Sequence, residues 1–485
     1  MAIEEELAEI VGKENVFSEP NVLQKYAKDH SFVREVMPQC VVEPKNTEDI
    51  QRIVQWAGQK SIPLIPVSSG EPHFRGDTVP SLGGVILDLS GMDKIVRIDR
   101  RNRVAMIEPG ITFTQLVPEL KKEGLRVPTP LYPRSSKSVI GSYLEREPTI
   151  IPKYHIDTSE PMLCTEVIFG TGDKFMTGEA AGPGTVEEQQ RFGKVQKFGA
   201  GPGQVGFLKL LQATQGSIGI VTWATLRCEV LPKARKLLFV PIQQIDQMVD
   251  FMYRILRLRL GDECLLLNNL DLASILSLNG ASIESLRRTL PPWILLLGIA
   301  GYESFPDERV KYQEEDIMDI ARQFGLVPVS EISGIRGEEV LNLLDMPSPE
   351  PYWKLRYKGD CYDIFFLTTL DKVPHFISVL LQVAEAHQYP AADIGIYIQP
   401  IQQGRSCHCE FGLTCDPSDE REVAKVSKFF LAASESLMKE GAFFSRPYGP
   451  WAGMVYNRDA VSRESMRKVK NIFDPRDILN PGKLY

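Results

Sequence analysis

The chain has no apolar run long enough to cross a bilayer and no excess of positive charge. A spanning helix needs about 20 consecutive apolar residues, so a membrane-spanning protein is not expected. The formal net charge is −8 over 485 residues, which argues against nonspecific nucleic-acid binding and favours solubility. The opening Met1-Ala2-Ile3-Glu4-Glu5-Glu6-Leu7 lacks the basic and apolar regions of a signal peptide; the expected location is the cytoplasm. Cysteine is sparse, at eight residues, and scattered apart from Cys407, Cys409 and Cys415. In a reducing compartment these are expected as thiols. No second Cys-x-x-Cys pair completes a tetrahedral set. Strand-like alternation along Arg405–Phe411 puts Cys407 and Cys409 on the face opposite His408. No metal is therefore expected. There is no repeat of fixed period, no long low-complexity stretch, and no Cys-rich segment of the iron–sulfur kind.

What is present is an ordinary globular composition, 43% hydrophobic and 24% charged, with length for two or three domains. Helices are expected over Ile3–Val11 and Val22–Lys28. Then come strand Cys40–Glu43, helix Thr47–Gln59, strand Pro63–Pro66 and strand Val85–Leu89, a pattern that suggests a βαβ unit. The helix carries Ile50, Ile53, Val54 and Ala57 on one face. The following part is β-rich, with strands at 94–99, 103–108, 162–169 and 219–231 and a helix at 113–123. Residues 178–204 form a long Gly- and Gln-rich excursion. A second α+β region has helices at 246–260 and 307–324 and a buried strand at 293–301, and two further helices, 420–440 and 459–473, lie near the C-terminus.

The most informative stretch is Pro63–Pro80, a small-residue turn after an apolar strand. Consecutive backbone N–H groups in such a turn make an anion nest, and Gly and Ser keep side chains out of a ligand's path. The natural guest is a phosphate or pyrophosphate. On the local pattern alone, a plain strand–turn–strand hairpin is the preferred reading.

Several segments together resemble the FAD-linked oxidase family of vanillyl-alcohol oxidase, para-cresol methylhydroxylase and the glycolate and D-lactate dehydrogenase flavoprotein subunits. They are Tyr26–Ser31 with Val41–Pro44, the Pro63–Pro80 loop, Val85–Leu89, Met92–Val96, Ile107–Gly110, Cys164–Ile168, Gly170–Asp173, Gln215–Thr222 and the tail Phe473–Lys483. The resemblance implies an α+β fold: a two-subdomain FAD-binding domain of the para-cresol methylhydroxylase (PCMH) type over residues 1–232. An α+β cap domain would follow over 233–440, and a C-terminal segment, 441–485, would return to the FAD domain. FAD is the implied cofactor. The implied binding residues are Ser68, Ser69, Gly70, Glu71, His73 and Gly76; Ser138, Gly141 and Ser142; Gly216, Ser217, Gly219, Ile220 and Val221; and Asn480 and Lys483. An electron-accepting partner protein, a cytochrome or an iron–sulfur subunit, and a homo- or hetero-oligomer are implied too.

Departures from the family are informative. Glu71 would repel a pyrophosphate unless it points away or meets Arg75. His73 is either a site of flavin attachment or a turn histidine stacked on the adenine or facing solvent. The family's Gly-Gly-Asn element is replaced by Ser138-Val-Ile-Gly-Ser-Tyr-Leu-Glu145, with bulky Tyr143 and Leu144. Lys153–Asp157 falls where relatives have a tyrosine–glycine pair near the flavin ring, so His155 is worth mutating. His30, His375 and His387 read as structural. The Gly-Glu-His-Gly motif of the hydroxy-acid branch is absent, and Phe443–Trp451 resembles the arginine-containing segment of the phenol-oxidising branch.

Hydride transfer to a flavin needs a carbon that can bear positive charge. For a phenol, Arg446 and Tyr448, with Tyr397 across the pocket, would surround the phenolate oxygen. For a 2-hydroxy acid, Arg405 would clamp the carboxylate and His408 would act as base; His408 is alternatively a buried structural histidine, and Glu410 would orient it. The preferred expectation is an FAD-dependent oxidation of a phenolic or benzylic carbon. The alternatives are a 2-hydroxy-acid dehydrogenase subunit and a degenerate scaffold subunit.

Overall fold

The computed structural model describes residues 2–154, 160–203 and 206–484; His155 and the rest of 155–159 lie outside them. Strands β1 (Val16–Phe17), β2 (Cys40–Val42), β3 (Leu64–Val67) and β4 (Val85–Asp88) form a sheet in the order β1-β2-β4-β3. Strand β4 is parallel to both β2 and β3. Parallel strands need a crossover, and helix Thr47–Lys60 makes it between β2 and β3. Its predicted stripe, Ile50, Ile53, Val54 and Ala57, is buried. Asn46 caps it by accepting the Asp49 N–H at 2.9 Å.

Because β3 and β4 run parallel, residues 68–84 do not form the hairpin that the local pattern favoured. Only antiparallel neighbours can be joined by a tight turn. The connection instead carries the chain back past the end of the sheet, away from the pairing ladder.

The second sheet is antiparallel: β5 (Ile95–Asp99), β6 (Val104–Ile107), β7 (Met162–Phe169), β8 (Lys174–Met176) and β9 (Gly219–Arg227), in the order β5-β6-β9-β7-β8. The strand expected over 219–231 breaks at Cys228. Its N–H turns to the Arg103 carbonyl, and Val230 pairs with Leu125 instead. Every residue of β7 is buried, between apolar clusters on both faces.

A six-stranded antiparallel sheet follows: β10 (Ala234–Ile242), β11 (Cys264–Asn268), β12 (Trp293–Gly301), β13 (Asp360–Thr368), β14 (Ile394–Ile401) and β15 (Ser406–Cys415), in the order β10-β12-β11-β14-β15-β13. Helices Asp246–Leu258, Val373–Ala386 and Glu420–Lys439 contribute buried residues to the largest apolar cluster with this sheet. Cys407, Cys409 and Cys415 belong to that cluster. All eight cysteines are buried thiols.

The tail returns to the first sheet. Leu64 N–H donates to the Ile478 carbonyl at 2.7 Å, and Asn480 N–H to the Leu64 carbonyl at 2.8 Å. Lys470, on helix Ala460–Phe473, locks this return. Its ammonium donates to Asp474 at 2.8 Å, to the Ser217 carbonyl at 2.9 Å and to the Leu479 carbonyl at 3.0 Å. Removing one member of a buried ion pair leaves the other charge uncompensated. Lys470→Met is expected to cost about 3 kcal/mol, read as a lower denaturant midpoint at unchanged slope. A midpoint within error of the parent would show that the clamp does not hold the tail.

Candidate active site

The β3–β4 loop, the helix Val139–Leu144 and the start of β9 enclose a cleft. It holds about 860 Å³ of empty space, its open mouth included. Ser68, Ser69, His73, Gly141, Gly216, Gly219, Ile220 and Val221 line it, as the sequence suggested. Space requires glycine at 216 and favours it at 141. A Cβ on Gly216, where φ is +70°, would lie 2.3 Å from the Pro66 ring, and one on Gly141 would lie 3.0 Å from Ser68 Oγ.

The other expected cofactor residues are set back from the lining, each for a visible reason. Gly70 turns its N–H to the Ser136 carbonyl, 3.1 Å away. Glu71 points outward and pairs with Lys25 at 3.3 Å, so it is not a charge in the cleft. Gly76 donates its N–H to Asp29 at 2.5 Å. Ser138 caps the helix, accepting the Gly141 N–H at 2.9 Å. Ser142 donates to Glu147 at 2.7 Å. Asn480 donates to the Gln215 carbonyl at 2.6 Å. Lys483 donates to the carbonyls of Gly76 and Val79 and fastens the loop from behind.

Sequence reading missed Asp77, Thr78, Arg134 and Gln215, which also line the cleft. Gln215 had a signal, since it immediately precedes Gly216. Asp77 is pushed up to about 7 by burial and by Glu145 beside it. His73 is buried and pushed down to about 3 by burial, with Arg134 and Lys137 adding to the effect. It therefore does not face solvent. Several polar atoms here have no hydrogen-bond partner: Thr78 Oγ1, both polar atoms of the Gln215 amide, Ser217 Oγ and Asn480 Oδ1. Buried polar groups are normally satisfied, so a set of open ones around a cleft marks a ligand's place.

A second group of side chains joins the loop to the cap sheet. Arg75 pairs with Glu145 at 3.0 Å and Glu147 at 2.9 Å, and Lys137 pairs with Glu145 at 2.8 Å and Glu147 at 3.4 Å. From the cap, Lys354 bridges Asp363 at 2.7 Å and Glu410 at 2.5 Å. Burial works against the Lys354 charge, but Asp363 and Glu410 hold it well above its ordinary range. The guanidinium of Arg75 lies 5.0 Å from the centre of the Phe365 ring, and that of Arg446 lies 4.1 Å from it.

His408 and Arg446 are brought together, but not as base and clamp. Arg446 donates to His408 Nδ1 at 3.3 Å, which leaves the proton on Nε2, facing Glu410 at 3.2 Å. Both ring nitrogens are occupied, and burial pushes the imidazole down to about 4. His408 therefore holds Arg446 in place rather than abstracting a proton. Tyr448, two residues along the same loop, has a buried hydroxyl with no partner. Tyr397 does not stand across a shared pocket from it: its hydroxyl donates to Gln399 at 2.9 Å, and its ring meets His408 edge-on. Arg405 leaves the group altogether. It is exposed beside Arg259 and Lys153 on another surface, because it precedes β15 rather than lying in it.

Comparison with known proteins bears on this geometry. A sequence profile for an FAD binding domain matches residues 38–146, and one for the C-terminal domain of FAD linked oxidases matches 449–484. The chain is 25% identical over 493 residues to glycolate oxidase subunit GlcD of Bacillus subtilis, spanning 100% of this chain and 96% of that protein. Over 44% of its length it is 29% identical to the flavoprotein subunit of 4-cresol dehydrogenase [hydroxylating] from Pseudomonas putida, of which the match covers 39%. A solved structure of p-cresol methylhydroxylase with substrate bound superposes with a TM-score of 0.81 over 99% of this chain and 95% of that one, at 19% identity. The fold is therefore the PCMH-type α+β fold, and the cofactor is FAD.

The residues present fit that cofactor. Gly141 and Gly216 leave room for a close approach, and Arg134, Thr78 and Gln215, which line the cleft, would meet its phosphates and polar edges; Ser217, between Gly216 and Ile218, is set behind the lining. Two acidic groups, Asp77 and Glu145, share the lining. FAD is an anion, so its binding is expected to weaken as Asp77 ionises. Affinity for FAD, followed by flavin fluorescence, should fall as pH rises through about 7. Asp77→Asn should bind more tightly and lose that pH dependence. An equally steep fall in Asp77→Asn would assign it to another group.

Proposed function

We propose that this FAD-linked oxidoreductase takes a hydride from the benzylic carbon of a para-alkyl phenol or an aryl alcohol. One observation carries the reading. Arg446 is a buried guanidinium with no carboxylate paired to it among the described residues, and the Tyr448 hydroxyl beside it is buried and open. When bound, FAD accepts a hydride at N5. A carbon losing a hydride develops positive charge, and a phenolate oxygen conjugated with it feeds electrons toward that charge. A cation and a hydroxyl placed at the oxygen hold the phenolate form. Arg446 spends donors on the Glu145 carbonyl, at 3.2 Å, and on His408, out of five. The guanidinium also lies 4.1 Å from the centre of the Phe365 ring, which lines the aromatic cavity. Phe365, Trp451 and Phe430 give the neighbouring cavity an aromatic wall for a ring to stack on.

The likeness to a glycolate oxidase subunit supports a second reading, a 2-hydroxy acid. The residues expected to serve it, Arg405 and His408, are apart and otherwise engaged. A scaffold without chemistry leaves the open donors of the cleft without a purpose. In the phenol reading, an electron-accepting partner protein, a cytochrome or an iron–sulfur subunit, completes the turnover.

Anaerobic addition of 4-ethylphenol is expected to bleach the flavin band. Arg446→Met should slow the bleaching about 100-fold and Tyr448→Phe about tenfold, with FAD retained in both. Bleaching by glycolate or D-lactate, and by no phenol or aryl alcohol, would overturn the assignment.

A further inference from the structure

A separate cavity lies between residues 130–148 and the cap segment around Trp353, with about 470 Å³ of empty space, its mouth included. Its polar atoms are unbalanced. Arg75 Nε, Arg134 Nε and Trp353 Nε1 all belong to residues lining it, and all are buried without an acceptor. No buried side-chain acceptor of its lining residues is left open among the described residues. Trp353 is 2% exposed, and an indole N–H can only donate. The charges differ in the same sense. Lys137 and Lys354 are each paired with two carboxylates, as is Arg75. Arg134 has no carboxylate partner among the described residues and stands 5.4 Å from the centre of the Phe74 ring.

Open buried donors are costly. A group with several acceptor lone pairs and a negative charge satisfies them together, and a planar carboxylate matches a guanidinium edge. The cavity adjoins the substrate site: Arg75 lines both this cavity and the aromatic one, and Glu410 in its wall faces His408. We infer that this cavity receives a carboxylate carried by the substrate, so that the substrate class is a hydroxyaryl carboxylic acid rather than a neutral phenol. The inference rests on the phenol reading above for the oxidised end of the molecule. Arg134 also lines the cofactor cleft, so a cofactor phosphate is its rival ligand. Trp353 does not line that cleft, and it separates the two.

The test is calorimetric binding to the FAD-loaded protein. 4-Hydroxyphenylacetate is expected to bind about tenfold more tightly than the neutral 4-ethylphenol. Trp353→Phe keeps the ring and removes the donor; it should abolish most of that preference and leave 4-ethylphenol binding as it was. Equal affinity for the two ligands in the parent, or an undiminished preference in Trp353→Phe, overturns the inference. Benzoate has no benzylic hydrogen to lose and keeps this result apart from the reaction. Trp353-dependent benzoate binding, in a protein whose flavin no phenol reduces, supports the carboxylate subsite and rejects the phenol oxidation. Reduction by 4-ethylphenol without any preference for the acid does the reverse.

Discussion

Arg75 is the charge on which the site depends. It sits at the far end of the β3–β4 loop in the left-handed region, with φ +68°. From there it reaches Glu145 and Glu147 on one segment and the Phe365 ring on the cap sheet. Three parts of the chain that share no secondary structure thus meet on one guanidinium. Burying a charge costs several kcal/mol unless it is paired, and each charge here has its return. Lys137 shares both carboxylates with Arg75, and Lys354 does the same for Asp363 and Glu410. The wall between cofactor cleft and cap is held by paired charges, and Arg446 and Arg134 stand out against it because they are not.

The same constraint explains why the loop departs from a glycine-rich form. A loop that only cradled phosphate would use small residues throughout. This one presents Ser68, Ser69 and His73 to the cleft, turns Glu71 outward to Lys25, and then uses Phe74 and Arg75 to contact the cap side. The repulsion expected from Glu71 does not arise, because that side chain is on the outer face of the turn. Behind the loop, Lys483 holds the carbonyls of Gly76 and Val79. The tail motif therefore acts on the loop backbone, one step removed from the cleft.

Much of the fold was legible, because periodicity reports burial directly. The stripe on helix Thr47–Lys60 and the buried run of β12 after Trp293 appear where the pattern put them, and Cys407 and Cys409 join the large apolar cluster while His408 turns to Arg446 and Glu410. The glycine and serine positions of the cleft were legible for a similar reason: close backbone approach excludes a Cβ, and that exclusion is written in residue type. Long polar side chains carry no such mark. Arg405 and His408 are three residues apart, yet one is exposed beside Arg259 and the other fully buried. Where β15 begins decides this, and only pairing with β13 and β14 fixes that start. Asp77 and Arg134 are placed by loops and Trp353 by a single short 3-10 turn, where sequence spacing says least about direction.

The two kinds of relative pull toward different substrates, and the charge pattern bears on the choice. A small 2-hydroxy acid puts its carboxylate and its reacting carbon within one bond of each other, so it needs clamp and base in the same place. Here Arg446, which has no carboxylate partner among the described residues and lies over the Phe365 ring of the aromatic cavity, has a neutral, doubly engaged histidine beside it, and such an imidazole has little tendency to take a proton. A phenol needs no base at the reacting carbon if its oxygen is already held as the anion, because conjugation delivers the electrons across the ring. It does need a flat apolar surface between the oxygen and the carbon, and Phe365, Phe430 and Trp451 offer one. An arrangement with a cation and a hydroxyl at one point and aromatic walls beyond them therefore suits a substrate whose charge and reacting carbon are a ring's width apart.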